Sequence, residues 1–157
     1  MIKKVKRIIS NKRLFSKDDH LLLAVSGGAD SLCLFLILEE LGYNIEIAHC
    51  NFNLRNKESN NDELFVKRFS INNKIPFYSK SFKTNVNKQS TQMAARELRY
   101  NWFNQILKKE KMNYVLTAHH LDDSLETFFL NMTRSTGIDG MLGISNQNKF
   151  KIRPLLI

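Results

Sequence analysis

The segment LLLAVSGGADSLCLFLILEELG, Leu21 to Gly42, constrains the fold more than any other part of the chain. An apolar run of strand length, Leu21 to Val25, passes through a few small and polar residues into a second apolar stretch, Ser31 to Leu41, of helical length. A strand without polar alternation is buried on both faces, as in a parallel sheet, and parallel strands need a crossover, usually helical, between them. Gly42 stands where a left-handed helix cap is expected.

The alternation continues on both sides. Ile2, Val5, Ile8 and Ile9, with lysines between them, predict an amphipathic helix over residues 2–15. Tyr43 to Cys50 reads as the next strand, and Ser59 with Asp62 three residues on predicts a capping box opening a helix that runs to about Asn73. Ile75 to Phe82 is a strand entered through Pro76, Thr84 to Ser90 is irregular, and Thr91 to Lys111 is the longest helix. Ala94, Ala95, Leu98, Trp102, Ile106 and Leu107 line one face of that helix, and Trp102 and Phe103 read as core. Met112 to Ala118 is a strand, Ser124 to Met132 a helix, Thr133 to Gly143 a glycine-bearing loop, and Phe150 to Ile157 a last strand containing Pro154. The expected class is α/β, a three-layer parallel sheet with helices on both faces.

With 157 residues and 43% hydrophobic content the chain is expected to form one domain over 1–157. Its 24 basic against 15 acidic side chains give a net charge of +9, which suits a polyanionic partner. Seven of the basic residues (Lys3, Lys4, Lys6, Arg7, Lys12, Arg13, Lys17) precede residue 19, against Asp18 and Asp19. Cys33 and Cys50 lie in apolar segments with no metal spacing around them, and read as buried thiols in a reducing compartment. No apolar run approaches the ~20 residues of a membrane span, so a soluble, cytoplasmic protein is expected.

The Ser26 to Ser31 segment, SGGADS, occupies the position where open α/β sheets bind ligands, the loop leaving the carboxyl end of a strand. Gly27 and Gly28 permit close backbone approach, Ser26 and Ser31 supply hydroxyls, and the following helix offers unpaired N–H groups, which together make a phosphate cradle. Asp30 tolerates phosphates only with a cation between them. The bland alternative is a capped strand-to-helix turn. The loop carries neither the GK[ST] of a Walker motif nor GxGxxG.

SGGADS resembles the SGGxDS loop of the N-type ATP pyrophosphatases, which cleave ATP between the α and β phosphates to adenylate an oxygen and then displace AMP with a nucleophile. Within that superfamily four stretches are similar to the tRNA(Ile)-lysidine synthetases: AHCNFNLRNKESNNDELFV (48–66), MAARELRYNWF (93–103), TAHHLDDSLETFFLNMTRSTGIDGMLGI (117–144) and IRPLL (152–156). The resemblance covers roughly residues 18–157 and implies an adenine nucleotide α-hydrolase-like, Rossmann-type sheet. Arg134-Ser135 departs from the usual Arg-Gly pair of the family.

The resemblance implies a ligase that uses ATP and Mg²⁺, with a tRNA(Ile) carrying a CAU anticodon and free L-lysine as partners, and a homodimer as a further assembly to consider. By the same resemblance, the C-terminal domains usual in the family after the RPLL strand are expected to be absent from this chain. Ser26, Gly27, Gly28, Ala29, Asp30, Ser31, His49, Phe52 and His119 would bind the nucleotide. Asp30, Asp123, Glu126 and Arg99 would be catalytic, the three carboxylates holding the metal, and Arg96, Arg134 and Gly137 would face substrate. Asp123 and Glu126 are three apart, on one side of a helix, and Asp122 and His120 stand beside them. Plain alternatives remain for each: dipole complementation by the carboxylates, a satisfied core histidine at 49, a solvated arginine at 96. A tRNA thiolase of the same superfamily and a non-catalytic nucleotide- or tRNA-binding module are the competing functions.

Overall fold

The computed structural model describes residues 1–53, 57–82, 91–133 and 145–156. In chain order the elements are α1 (Ile2–Asn11), β1 (His20–Ala24), α2 (Ala29–Glu40), β2 (Asn44–Asn51), α3 (Lys57–Asn72), β3 (Phe77–Ser81), α4 (Thr91–Lys109), β4 (Tyr114–Leu116), α5 (Leu121–Thr133), β5 (Gln147–Asn148) and β6 (Lys151–Ile152). The sheet order is β3-β2-β1-β4-β6-β5. All pairings are parallel except the short β5–β6 ladder.

Alternate residues of the strands feed two cores. Leu21, Leu23, Ile45, Ile47, Leu116 and Ile152 pack with Val5 and Ile9 of α1, Phe35 and Leu38 of α2 and Val66 of α3. Leu22, Ala48 and Val115 point the other way, onto Tyr100, Phe103, Ile106 and Leu107 of α4. The expected three-layer α/β architecture is therefore present, with α1 to α3 on one face and α4 on the other. Among the described residues no helix is long and apolar enough to cross a membrane.

Gly42 has φ +69° and closes α2 as expected. Its N–H bonds the Glu39 carbonyl at 2.8 Å and that of Tyr43 the Leu38 carbonyl at 3.0 Å, the two bonds of a Schellman cap. Other expectations need correction: α1 ends at Asn11, β4 is limited to Tyr114–Leu116 and α5 begins at Leu121. Ser59 does not cap α3, because the helix already begins at Lys57 and Ser59 lies inside its first turn. The last strand is not continuous over 150–157: it is two residues long, Pro154 has no N–H to extend a ladder, and the Arg153 N–H turns back to Asn146. Residues 147–148 form an antiparallel partner strand that the sequence reading left out. Cys33 and Cys50 are half-buried rather than fully enclosed, and both are free thiols. The 84–90 and 133–143 loop expectations fall largely or wholly outside the described residues.

Candidate nucleotide site

Strand order reverses at β1, whose chain successor β2 lies on one side and β4 on the other. Such a reversal opens a crevice at the carboxyl ends of the strands. A cavity of about 270 Å³ lies there, lined by Val25, Ser26, Gly28, Asp30 and Ser31 after β1 and by Thr117, Ala118, His119, His120 and Asp123 after β4. Cys50 of β2 and Arg99 and Phe103 of α4 also line it.

The loop is shaped from within. Gly27 adopts φ +95°, which side-chain-bearing residues rarely reach. The Gly28 N–H donates to Ser26 Oγ at 3.2 Å, and Ser31 Oγ donates to the Gly28 carbonyl at 2.8 Å. Gly28 is the N-cap of α2, and no side chain caps that helix, so its first-turn N–H groups are left to the cavity side. Ala29 opens the helix and Asp30 sits in its first turn.

Asp123 and Asp30 flank one imidazole. His120 Nε2 lies 3.7 Å from Asp30 Oδ2 and 3.6 Å from Asp123 Oδ2, while its Nδ1 lies 3.6 Å from Asp122 Oδ2. Asp123 Oδ2 also accepts the His120 N–H at 2.8 Å. That is the reciprocal half of a capping box at the start of α5, so Asp123 orders the helix and lines the cavity together. Glu126, one turn further on, is exposed and outside the cavity lining. Among the described residues no three His, Cys, Asp or Glu side chains gather as a self-sufficient metal cage. Two carboxylates do suit Mg²⁺, which usually takes one or two of them and completes its shell with phosphates and water.

His119 lies beside these groups, its Nδ1 2.8 Å from Thr117 Oγ1. Burial, followed by the positive charge of Arg153, holds its pKa below the usual imidazole value. Burial pushes the Cys50 thiol up to about 12, against the opposing pull of Arg99 and Lys80.

His49 and Phe52 line a smaller cavity of about 170 Å³ with Asn51, Ser59 and Asp62, which shares Ser26 and Cys50 with the first. His49 is 4% exposed and its Nδ1 sits 2.8 Å from the Val25 carbonyl, so it braces the residue that enters the glycine loop. Phe52 stacks on Phe82, with the Arg99 guanidinium 5.3 Å from its ring centre. Arg96 is exposed and lies over Tyr100. Arg134 and Gly137 fall outside the described residues. His120 and Thr117 also line the cavity without having been expected there; the paired histidines after a strand were the available signal for the first.

The family model described as the PP-loop domain matches residues 1–157. The tRNA(Ile)-lysidine synthase of Bacteroides thetaiotaomicron is 46% identical over 157 aligned residues, which cover 98% of this chain and 37% of the relative. That of Petrotoga mobilis is 37% identical, covering 98% of this chain and 52% of the relative. The chain thus spans about a third to a half of the length of these curated relatives. Among solved structures, the U34-tRNA thiolase of Methanococcus maripaludis is similar in fold, with a TM-score of 0.74 at 19% identity over 98% of this chain and 58% of that one. The NH3-dependent NAD synthetase of Campylobacter jejuni gives 0.57 at 18% identity, over 81% and 59%. A family model matched from end to end, on a sheet that carries the glycine loop at its switch point, places the chain in the PP-loop domain family.

Proposed function

We propose that this chain is the ATP-cleaving domain of a tRNA(Ile)-lysidine synthase. The observation that carries the reading is the meeting of the SGGADS loop with Asp30, His120 and Asp123 across the β1/β4 crevice, in a chain 46% identical to one such enzyme. In the proposed reaction the C2 oxygen of the wobble cytidine attacks the α-phosphate of ATP and pyrophosphate leaves. The ε-amine of lysine then forms the new carbon–nitrogen bond as AMP departs.

The uncapped start of α2 and the Gly28 backbone would hold the phosphates, and Arg99 would offset charge developing at the α-phosphate. Asp30 and Asp123 would hold Mg²⁺, which supplies charge neutralisation at the leaving pyrophosphate. His49 braces the loop, and with Phe52 it would form a wall of the side cavity beside the adenine. A thiolase reading is less well supported, because Cys33 and Cys50 pack on opposite faces of the sheet.

The test supplies ATP, Mg²⁺, labelled lysine and an unmodified tRNA with a CAU anticodon, and follows label in the RNA. Asp123→Asn retains an oxygen to accept the His120 N–H and loses the charge. It should stay folded while product formation falls by about 100-fold or more, the scale expected when an electrostatic group is removed from such a site. An unchanged rate would remove Asp123 from the chemistry. Pyrophosphate formed without label in the RNA would point to a different nucleophile.

A further inference from the structure

The α4 face of the sheet carries a group of cations that the nucleotide chemistry above does not use. Parallel register pairs Val115 with Lys151 and Leu116 with Ile152, so Lys151 shares the face of Val115. Arg153, two residues on at the carboxyl end of β6, lies beside Thr117, whose N–H bonds the Ile152 carbonyl at 3.0 Å. Lys151 Nζ stands 3.7 Å from the Tyr100 ring centroid and Arg96 Cζ 5.4 Å from the same centroid, so two cations share one ring. Arg153 is 5% exposed; its Nη1 donates to the Ser145 carbonyl at 2.8 Å, and its buried Nε has no hydrogen-bond partner among the described residues.

Among the described residues no carboxylate pairs with Arg96, Arg99, Lys151 or Arg153. After burial, Arg96 and Arg153 lower the pKa of Lys151, and Arg153 lowers that of His119, where Asp123 pulls the other way ahead of the smaller effects of Arg96 and Arg99. A guanidinium buried among like charges, with one nitrogen unbonded, is a costly arrangement that an anion would relieve.

We propose that Arg153, Lys151 and Arg96 form a phosphodiester subsite that holds the backbone of the RNA substrate beside the nucleotide cavity. β4 lies between β6 and β1, which puts Arg153 two strand spacings, roughly 10 Å, from the glycine loop. One phosphate group cannot touch both. The cluster runs from buried Arg153 through half-buried Lys151 to exposed Arg96, so a polymer lying across the surface reaches it from outside. This inference deepens the tRNA reading and rests on it.

The experiment follows the arginine Nε–H resonances of the 157-residue chain by NMR while a short RNA hairpin is added at low salt without ATP or lysine, and in separate titrations while ATP or free lysine is added without RNA. Arg153→Lys identifies the Arg153 signal. RNA should shift that signal, and Lys151→Gln should weaken hairpin binding and reduce the slope of log affinity against log salt by about 1, leaving ATP affinity unchanged. Three results would overturn the subsite: an Arg153 signal unmoved at saturating RNA, no RNA binding at low salt, or a signal moved by ATP or free lysine and not by RNA. Because the RNA titration contains neither ATP nor lysine, failure of lysine transfer in the labelled-lysine assay with the Arg153 response intact would count against the lysidine reading alone. Lysine transfer with no Arg153 response would count against the subsite alone.

Discussion

Gly27 and Gly28 are adjacent, and the structure gives them separable jobs. A methyl group at Gly27 would meet Asp62 no closer than 3.5 Å, so space is available, yet φ at +95° strains any side-chain-bearing residue. That strain costs about 1–3 kcal/mol, partly offset by the lower unfolded-state entropy of alanine. For a domain of this size a net loss of about 1–2 kcal/mol lowers Tm by roughly 2–8 °C. Gly28 has φ −77° and ψ 159°, which alanine accepts, and its new methyl would touch only Ser26 Oγ at 3.4 Å. Gly28→Ala should therefore lie within about 0.5 kcal/mol of the parent in stability. Gly28, and not Gly27, is among the residues lining the cavity, so the methyl would stand where a phosphate approaches the backbone. Losing one charge-assisted hydrogen bond there costs roughly 1.5–3 kcal/mol, a rise in the Kd for ATP of about tenfold to a hundredfold. Urea unfolding and ATP calorimetry on both variants provide the assay. Equal destabilisation by the two substitutions, or unaltered ATP affinity in Gly28→Ala, would refute the reasoning.

The remaining predictions concern titration. His119 has a folded-state pKa below its ordinary value of about 6.5, so the unfolded chain binds its proton more readily and stability falls as pH drops through that range. Urea midpoints measured from pH 7 to 5 should decline less steeply in His119→Asn than in the parent; identical slopes would contradict the assignment. Cys50, with its thiol near 12, should resist iodoacetamide in the native protein at about pH 8 and react once urea unfolds it. A native-state adduct at Cys50 would contradict the raised thiol pKa.

Much of this arrangement was legible from residue type. The junction of Leu21 to Val25 with SGGADS marked β1, the loop and α2 within about two residues, because glycine, hydroxyl and apolar run each have one role there. Gly42 likewise declared the end of α2. What escaped detection depends on contacts between distant residues. His49 bonds a carbonyl 24 positions earlier, so its sequence neighbours could not show that it braces the loop. Ser59 looked like a cap, but Lys57 and Glu58 suit helix as well and carried the start of α3 past it. The two-residue strands β5 and β6 are too short to show a period. Arg153 gave no sign in sequence of being buried, since its concealment comes from the turn around Asn146 and from its register beside β4.

The central claim is that the crevice between β1 and β4 cleaves ATP at the α-phosphate. The direct measurement supplies ATP labelled at the α and γ positions, with Mg²⁺, free lysine and unmodified tRNA, and identifies the products. The account predicts AMP and pyrophosphate in equal amounts when tRNA and lysine are both present, and pyrophosphate without free AMP when lysine is left out. Release of ADP and orthophosphate would contradict it.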